Sequence, residues 1–357
     1  MLPNNKRFSY KLLMLGLAIL LIMVLSACGG KNDAENAGKD AGKDSGKIIA
    51  TYEGGTVTVS DFNKYIGARK LLDQNYAYLE MMPDFQTMVL NQYIAESVLS
   101  KDVSEEVEKQ SKEQAKAASD NMKTSLEANA EQKTQIDTFM KDNGIDFDDL
   151  ENYVYKQYKL QSVLGAKYSD AEIKQKYDDN IKADKNAYMK ATVRHVLVAL
   201  KDQEGKDIRT KEEALARANE AYEKLKSTGD WDKLALEYSD DRNKDTGGIY
   251  KDADVSQWVE NFKNAALNQP LNEIGKPIET EYGYHVVVVE ARTNEYEVVK
   301  NTVKSEMINE YFLNYIEKEV PKLIIGEVNL PKADTPVTPE VPSGTLDGAD
   351  TKTEKAK

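Results

Sequence analysis

Apolar side chains recur at helical spacing over two long stretches of the chain. Phe62 and Tyr65 begin the first stretch, and the spacing of three and four residues continues to about residue 182. The second stretch runs from Val298 to Val320, and Pro321 is expected to end its helix because proline cannot continue a helix. Both stretches are therefore predicted to be helical.

A β-hairpin is predicted directly before the first helical stretch. Residues Ile48 to Val59 alternate between apolar and polar positions around a Gly54-Gly55 turn. Ser60 follows, and its hydroxyl is the predicted N-cap of the first helix. Residues 101–135 are rich in Lys, Glu, Gln and Ala, with few large apolar side chains. That composition predicts a solvated helix or arm rather than core.

Residues 186–292 have a mixed pattern that predicts strands as well as helices. Thr210 and Glu213 have the spacing of a capping box, which marks the start of one helix. The predicted fold class is α+β: a small antiparallel sheet with surrounding helices, inserted in a mainly helical domain. The predicted elements are, in order, a strand over Ala191–Leu200, helices over Thr210–Ser227, Trp231–Tyr238 and Ser256–Leu267, and strands over Pro277–Thr280 and Tyr284–Glu290.

The N-terminus has the pattern of a secretory signal peptide. Lys6, Arg7 and Lys11 supply positive charge, and an apolar run from Leu12 to Val24 follows. The run is about 13 residues long, within the ~7 to 15 residues of a signal peptide and short of the ~20 that a membrane-spanning helix needs. Residues 1–27 are therefore predicted to be removed from the mature protein.

The chain's single cysteine follows this segment directly. The sequence Leu25-Ser26-Ala27-Cys28 resembles the lipobox of bacterial lipoproteins, which implies that the Cys28 thiol carries a diacylglycerol group. Acyl chains of that kind anchor a protein stably to a lipid bilayer. A plain signal peptide followed by a free thiol remains the alternative.

Overall composition excludes several classes of function. Asp and Glu number 61 against 48 Lys and Arg, for a net charge of -13, which argues against a nucleic-acid partner. One Cys and two His leave too few ligands for a disulfide framework or a structural zinc site. Phosphate-cradling glycine motifs are absent from the sequence. No metal and no cofactor are predicted.

The motifs of the middle region carry a family resemblance. Both histidines fall there, in Arg194-His195-Val196-Leu197 and Tyr282-Gly283-Tyr284-His285. The segment Trp231 to Asp241 and the pair Gly247-Gly248 lie between them, in an order that resembles the parvulin, or PpiC-type, family of peptidyl-prolyl isomerases. The wider layout of lipobox, tether, helical segment and parvulin-like domain resembles PrsA-type foldase lipoproteins.

This resemblance assigns roles to individual residues. His195 and His285 would lie on central strands behind a proline pocket, with Thr280 as a hydrogen-bond partner. Asp241 stands where the family places an acidic or thiol side chain, and it completes the predicted catalytic set. The predicted substrate-pocket residues are Tyr250, Trp258, Phe262 and Thr280. Two positions depart from the family pattern: Trp258 replaces a methionine, and Ala253 replaces an aromatic residue.

Prolyl isomerisation needs little chemistry from a protein. The barrier to rotation about an X-Pro bond arises from amide resonance and is ~18 to 20 kcal/mol, and no bond is broken. An apolar pocket and polar groups that favour the twisted imide suffice. For His195 and His285, the alternative is a purely structural role as buried imidazoles of the core. Asp241 taken alone is typical of a turn after a helix.

The implied protein is a lipid-anchored foldase on the outer face of the cell membrane, in a Gram-positive bacterium. Its implied partners are unfolded or partly folded secreted polypeptides and, through Cys28, the lipid bilayer. Two rivals stay open: a holdase chaperone whose parvulin-like domain binds without useful catalysis, and a lipoprotein with an adhesive role. A homodimer through residues 101–135 is a further open alternative. The predicted divisions are 1–27 signal peptide, 28–47 lipidated Cys28 and tether, 48–185 helical chaperone segment, 186–292 parvulin-like domain, 293–330 helix completing the chaperone domain, and 331–357 disordered tail.

Tyrosine is unusually frequent, at 20 residues against 7 phenylalanines. Many lie in the first helical stretch. A tyrosine pairs apolar area with a polar tip, which suits a surface that grips unfolded chains weakly. Half-buried packing within the fold is the alternative, and it is the more common arrangement.

Overall fold

A computed structural model describes residues 46–73, 76–80, 82 and 84–331, without the side chains of Ala77 and Tyr78. The predicted signal peptide, Cys28, most of the tether and all but the first residue of the tail lie outside these residues. Within the described ranges, no helix is long and apolar enough to cross a membrane.

The helices and strands follow one another along the chain in this order. The first half contains β1 (Ile48–Tyr52), β2 (Gly55–Thr58), α1 (Val59–Leu72), α2 (Tyr76–Leu79), α3 (Phe85–Leu99), α4 (Glu105–Glu127), α5 (Ala130–Asp142), α6 (Phe147–Gly165) and α7 (Asp170–Ala183). The second half contains β3 (Lys190–Ala199), α8 (Lys211–Thr228), α9 (Trp231–Tyr238), β4 (Ile249–Asp254), α10 (Glu260–Asn268), β5 (Ile278–Thr280), β6 (Gly283–Thr293), α11 (Tyr296–Lys318), α12 (Val320–Leu323) and β7 (Ile324–Ile325). The predicted α+β class is confirmed.

The chain divides into two compact units. Unit 1 combines Met1–Val163 with Leu313–Lys357, and unit 2 is the intervening segment Leu164–Phe312. Unit 2 is thus inserted in the sequence of unit 1, and it contains the four-stranded sheet. The finer domain boundaries given from the sequence stay predictions.

The predicted hairpin of unit 1 forms, and Tyr52 pairs with Gly55 across its turn. The predicted cap is wrong, because Thr58 rather than Ser60 is the N-cap of α1. The Thr58 hydroxyl accepts a hydrogen bond from the Asp61 N–H at 3.1 Å, and the Asp61 carboxylate accepts one from the Thr58 N–H at 3.2 Å. This reciprocal capping box starts the helix at Val59.

A third strand joins the hairpin from the far end of the chain. In β7, Ile324 and Ile325 pair antiparallel with Tyr52 and Thr51, giving the sheet order β2-β1-β7. The long C-terminal helix α11 ends at Lys318, before the predicted end. Pro321 lies in the first turn of the short helix α12, where the missing N–H costs no hydrogen bond.

The prediction of a solvated arm over residues 101–135 is only partly right. Helix α4 is charged on one side, where pairs such as Lys116 and Asp120 face solvent. Its other side carries small residues, and Ala115 is buried in a cluster with Met140 and Leu150. Small side chains let neighbouring helices approach closely, so the stretch belongs to the packed core of unit 1 despite its polar composition.

Unit 2 is built around an antiparallel sheet of order β4-β3-β6-β5. Both faces are covered, since α8 and α9 pack on one face against Val196 and Val198, and α10 packs on the other face, near Val193. The predicted capping box of Thr210 and Glu213 is confirmed at the start of α8. A strand buried on both faces fits the nearly continuous apolar run of β3.

Candidate active site

The two histidines meet at the centre of the sheet. His195 lies on β3 and His285 on β6, and the antiparallel register pairs His285 with Leu197. Because side chains alternate between the faces of a strand, His195 and His285 lie diagonally on the same face. Their rings stack with centroids 5.5 Å apart and an angle of 14° between them. The two Nδ1 atoms are 3.2 Å apart, so one ring donates its N–H to the other.

Thr280 extends the contacts of the histidine pair to the neighbouring strand β5. Its hydroxyl lies 2.8 Å from the Nε2 atom of His285 and also accepts a hydrogen bond from the Tyr282 N–H at 3.2 Å. The turn between β5 and β6 brings Thr280 to this position through Gly283, where φ is +143°. A Cβ at Gly283 would lie 2.2 Å from the Val198 carbonyl oxygen, so only glycine fits.

Both imidazoles are held in the uncharged form. Burial and, to a smaller extent, the neighbouring His195 lower the pKa of His285 to about 3. Burial also lowers the pKa of His195, although the charge of Asp241 acts in the opposite direction. At neutral pH the pair therefore carries no charge, which suits side chains that orient neighbouring groups better than it suits proton donors.

The segment that carries Asp241 is fixed to β3 by its two preceding residues. The Ser239 hydroxyl accepts a hydrogen bond from the Leu197 N–H at 3.2 Å. Asp240 donates its own N–H to the Leu197 carbonyl and accepts the Ala199 N–H at 2.9 Å. Ser239 and Asp240 were not among the predicted site residues, although they stand directly before Asp241 in the sequence.

Arg209 strengthens this attachment. Its guanidinium lies 2.6 Å from one carboxylate oxygen of Asp240 and 3.3 Å from the other, in a two-pronged ion pair. It also donates to the Ala199 carbonyl at 2.9 Å. Such planar pairs are geometrically specific. The loop after β3 and the loop after α9 are thereby joined beside the site.

Asp241 faces the histidine pair from the rim. Its side chain is 18% exposed, and one carboxylate oxygen lies 3.7 Å from the Nε2 atom of His195. The Asn243 N–H donates to its Oδ1 atom at 3.0 Å. The Tyr250 hydroxyl donates to the same carboxylate, 3.2 Å from Oδ1 and 3.4 Å from Oδ2.

The two glycines after Asp241 let β4 run close to β3. Gly248 has a φ of +69°, and a Cβ there would lie 2.0 Å from the His195 carbonyl oxygen. The His195 N–H donates to the Gly248 carbonyl at 2.9 Å. This contact places Tyr250 opposite Val193 in the sheet, and its ring reaches the histidine pair.

Aromatic rings form the wall next to the histidines. Phe262, on α10, contacts His195 and His285 edge to face, with centroids 5.3 and 5.1 Å away. Trp258 meets Phe262 at 5.1 Å, and Tyr250 lies 5.2 Å from His195 and 6.3 Å from Trp258. The structure thus brings all seven predicted catalytic and pocket residues together, whereas Cys28 lies outside the described residues.

One prediction about this wall is wrong in detail. Trp258 was placed on the same helix as Phe262, but α10 begins only at Glu260 and Trp258 has an extended backbone. The Asp254 side chain accepts the Ser256 N–H at 2.9 Å and caps a separate short 3-10 turn there. The indole still packs on Phe262, because the extended residues after that turn lead directly into α10.

This arrangement is apolar at its wall and polar at its rim. Aromatic edges and neutral imidazoles suit a small apolar ring, and the Asp241 carboxylate can act on a polar group held at the rim. Within the described residues, no cluster of three or more His, Cys, Asp or Glu side chains could hold a metal ion.

Comparison with known proteins identifies the class of unit 2. Residues 179–293 match the family described as the PPIC-type PPIASE domain. Unit 2 therefore carries a parvulin-type peptidyl-prolyl cis-trans isomerase domain, as predicted.

The rest of the chain points to one group within that class. The foldase protein PrsA of Caldanaerobacter subterraneus is 31% identical over 177 residues, which cover 47% of this chain and about half (52%) of that protein. The foldase protein PrsA 3 of Bacillus anthracis is 24% identical over 301 residues, covering 83% of this chain and 84% of that protein. The predicted resemblance to PrsA-type foldases is confirmed.

A solved structure of peptidylprolyl isomerase PrsA from Bacillus anthracis is also similar. It is 20% identical to this chain, and the aligned region covers 65% of this chain and 96% of the Bacillus anthracis chain, with a TM-score of 0.33. That score is too low to bear on the fold of the whole chain.

Proposed function

We propose that this chain is a membrane-anchored foldase that assists the folding of secreted polypeptides by cis/trans isomerisation of their X-Pro bonds. The observation that carries the proposal is the Asp241 carboxylate at the rim of an aromatic pocket, beside two uncharged histidines. The pocket would take the proline ring, with Trp258 and Phe262 as its wall. Unfolded or partly folded clients are the partners that the names of the foldase relatives suggest.

Asp241 would lower the rotation barrier by electrostatics. Amide resonance places partial negative charge on the carbonyl oxygen of the planar imide, and that charge is lost as the C–N bond twists. A carboxylate beside this oxygen therefore raises the energy of the planar state more than that of the twisted state. His195 and His285, fixed by Thr280, would hold the floor of the pocket without taking or giving a proton.

The rival function is a holdase whose isomerase domain binds without catalysis. One observation favours it: the Tyr250 hydroxyl donates to the Asp241 carboxylate and so offsets part of its charge. The departures at Ala253 and Trp258 also change the pocket relative to the family pattern. Both functions need the same fold, so only a rate measurement separates them.

The test is cis/trans exchange of a proline tetrapeptide, followed by NMR with the full chain added. Acceleration that Asp241→Ala reduces strongly, to a residual rate that can still be measured, would support an isomerase with Asp241 in its site. A folded chain that binds the peptide without accelerating exchange would overturn the enzymatic proposal and favour the holdase.

Membrane anchoring rests on the lipobox-like sequence before Cys28. Lipidation of that thiol would hold the folded units at the outer face of the cell membrane through a tether of residues 28–47. Cys28→Ala in cells should move the protein from the membrane fraction to the medium. Unchanged membrane fractionation would exclude this anchor.

A further inference from the structure

Tyr250 occupies a position from which one hydroxyl group reaches the whole Asp241 carboxylate. Its oxygen lies 3.2 Å from Oδ1 and 3.4 Å from Oδ2 of Asp241, so the O–H donates between the two acceptors. The Asn243 backbone N–H reaches Oδ1 at 3.0 Å from another direction. These two donors reach the carboxylate from two different elements of the fold.

The Tyr250 ring is itself fixed. Strand β4 holds its backbone opposite Val193, and its ring lies against His195 at 5.2 Å and near Trp258 at 6.3 Å. Burial and the negative charge of Asp241 raise the pKa of Tyr250 to about 12. The hydroxyl is therefore protonated at neutral pH and remains a donor.

The backbone contact alone cannot fix Asp241. It holds Oδ1, but Oδ2 is left with the Tyr250 hydroxyl and the His195 Nε2 atom, which at 3.7 Å is too distant for a hydrogen bond. The aspartate side chain could then turn about its last torsion, which is broad for this residue type. Electrostatic catalysis needs the charge in one place before the reaction, so this freedom would reduce the rate.

We propose that Tyr250 is a positioning residue of the isomerase site, whose hydroxyl holds the Asp241 carboxylate towards the substrate imide. The inference rests on the proposed function, and it assigns to the tyrosine a role separate from lining the pocket. Its hydroxyl bond to Asp241, counted above as favouring the holdase, becomes part of the catalytic arrangement.

The test is a double-mutant cycle on the full chain, with exchange of the proline tetrapeptide as the readout. Tyr250→Phe keeps the ring and removes only the donor. It should slow catalysed exchange about tenfold, the equivalent of ~1.4 kcal/mol, with peptide affinity changed less than about twofold. In the Asp241→Ala background the same substitution should have no further effect, because its target is gone.

A matched control separates this role from packing. Tyr222→Phe removes a hydroxyl from α8, on the other face of the sheet, and should leave exchange unchanged. Two results would overturn the positioning role alone. One is full activity of Tyr250→Phe, and the other is a loss of the same size when Tyr250→Phe is added to Asp241→Ala. A wild-type chain without catalysis would overturn the proposed function and this inference with it.

Discussion

Each unit of this protein buries a network of polar side chains, and the two networks differ in charge and in where they end. In unit 1, Arg69 and Glu96 form a buried ion pair, 3.6 Å apart. In unit 2, His195 and His285 are buried without charge, and their chain of contacts leads to the partly exposed Asp241. The unit 1 network is charged and closed within the fold, whereas the unit 2 network is uncharged inside and ends in a partly exposed carboxylate.

The unit 1 network satisfies its charges internally. Three side chains, those of Tyr65, Gln92 and Gln157, donate to the Glu96 carboxylate at 2.7 to 3.0 Å. Burial nevertheless raises the pKa of Glu96. Desolvation of the carboxylate therefore has a larger effect on this pKa than the hydrogen bonds that lower it. The Arg69 guanidinium also lies 4.7 Å from the centre of a tyrosine ring, that of Tyr76.

This network accounts for four of the chain's 20 tyrosines. Tyr65 and Tyr76 are buried around Arg69, and Tyr65 contacts the rings of Tyr93 and Tyr153 edge to face. The Tyr65 hydroxyl is used inside the fold, where it donates to the Glu96 carboxylate at 2.9 Å. The packing alternative therefore holds for these residues, rather than a client-gripping surface.

The largest expected effect is on unit 1. Glu96→Leu leaves the Arg69 charge buried without its partner, which should cost about 3 to 5 kcal/mol of unfolding free energy. Urea unfolding followed by far-UV circular dichroism measures it. The control is Asp120→Asn in the exposed pair with Lys116, where no resolvable change is expected.

A double substitution sharpens that result. Arg69→Met together with Glu96→Leu removes both charges and should recover much of the lost stability, because apolar residues of similar volume often replace buried pairs well. A single Glu96→Leu variant as stable as the wild type would mean that the pair is not structurally important.

The second prediction concerns the histidine pair. His285→Ala leaves the Nδ1 atom of His195 without its partner, at about 1 to 3 kcal/mol. The Thr280 hydroxyl loses its contact with His285 but keeps the hydrogen bond from the Tyr282 N–H. Trp231 and Trp258, the chain's two tryptophans, both lie in unit 2, so indole fluorescence during urea unfolding reports this unit. An unchanged unfolding midpoint would contradict a strand-tying role for His285.

The third prediction uses pH. Folding depresses the pKa of both histidines from about 6.5, and that of His285 reaches about 3. Between these values the unfolded chain binds more protons than the folded one. Unit 2 should therefore lose stability as the pH falls from about 6.5 towards 3, by ~1.4 kcal/mol per pH unit and histidine at most.

Tryptophan fluorescence in urea at a series of pH values measures this slope. His285→Ala removes one of the two titrating groups and should make the slope shallower. An equal slope in both proteins would assign the acid sensitivity to groups other than His285.

Local sequence signals predicted much of the fold, and long-range contacts account for the errors. The Thr210 capping box and the first hairpin depend on neighbouring residues, so they were predictable. Strand β7 has two residues and is defined by its pairing with β1, far away in the sequence. Trp258 and Phe262 had helical spacing, but Asp254 caps the start of a separate 3-10 turn, which ends at Trp258 before the helix begins.

The site residues followed from family motifs rather than from periodicity. Spacing alone could not show that His195 and His285 share one face, since that depends on the register of β3 against β6. The attachment by Ser239 and Asp240 was missed for the same reason. Its hydrogen bonds cross some forty residues of sequence to β3.

The most direct test measures catalysis and stability together in two variants of the full chain. Asp241→Asn keeps the size of the side chain and removes its charge, and it should strongly reduce catalysed exchange of the proline tetrapeptide while urea unfolding stays nearly unchanged. Glu96→Leu should lose stability and keep catalysis under conditions where the chain remains folded. Wild-type activity in Asp241→Asn, or catalysis lost in folded Glu96→Leu, would contradict the assignment of chemistry to the open network of unit 2.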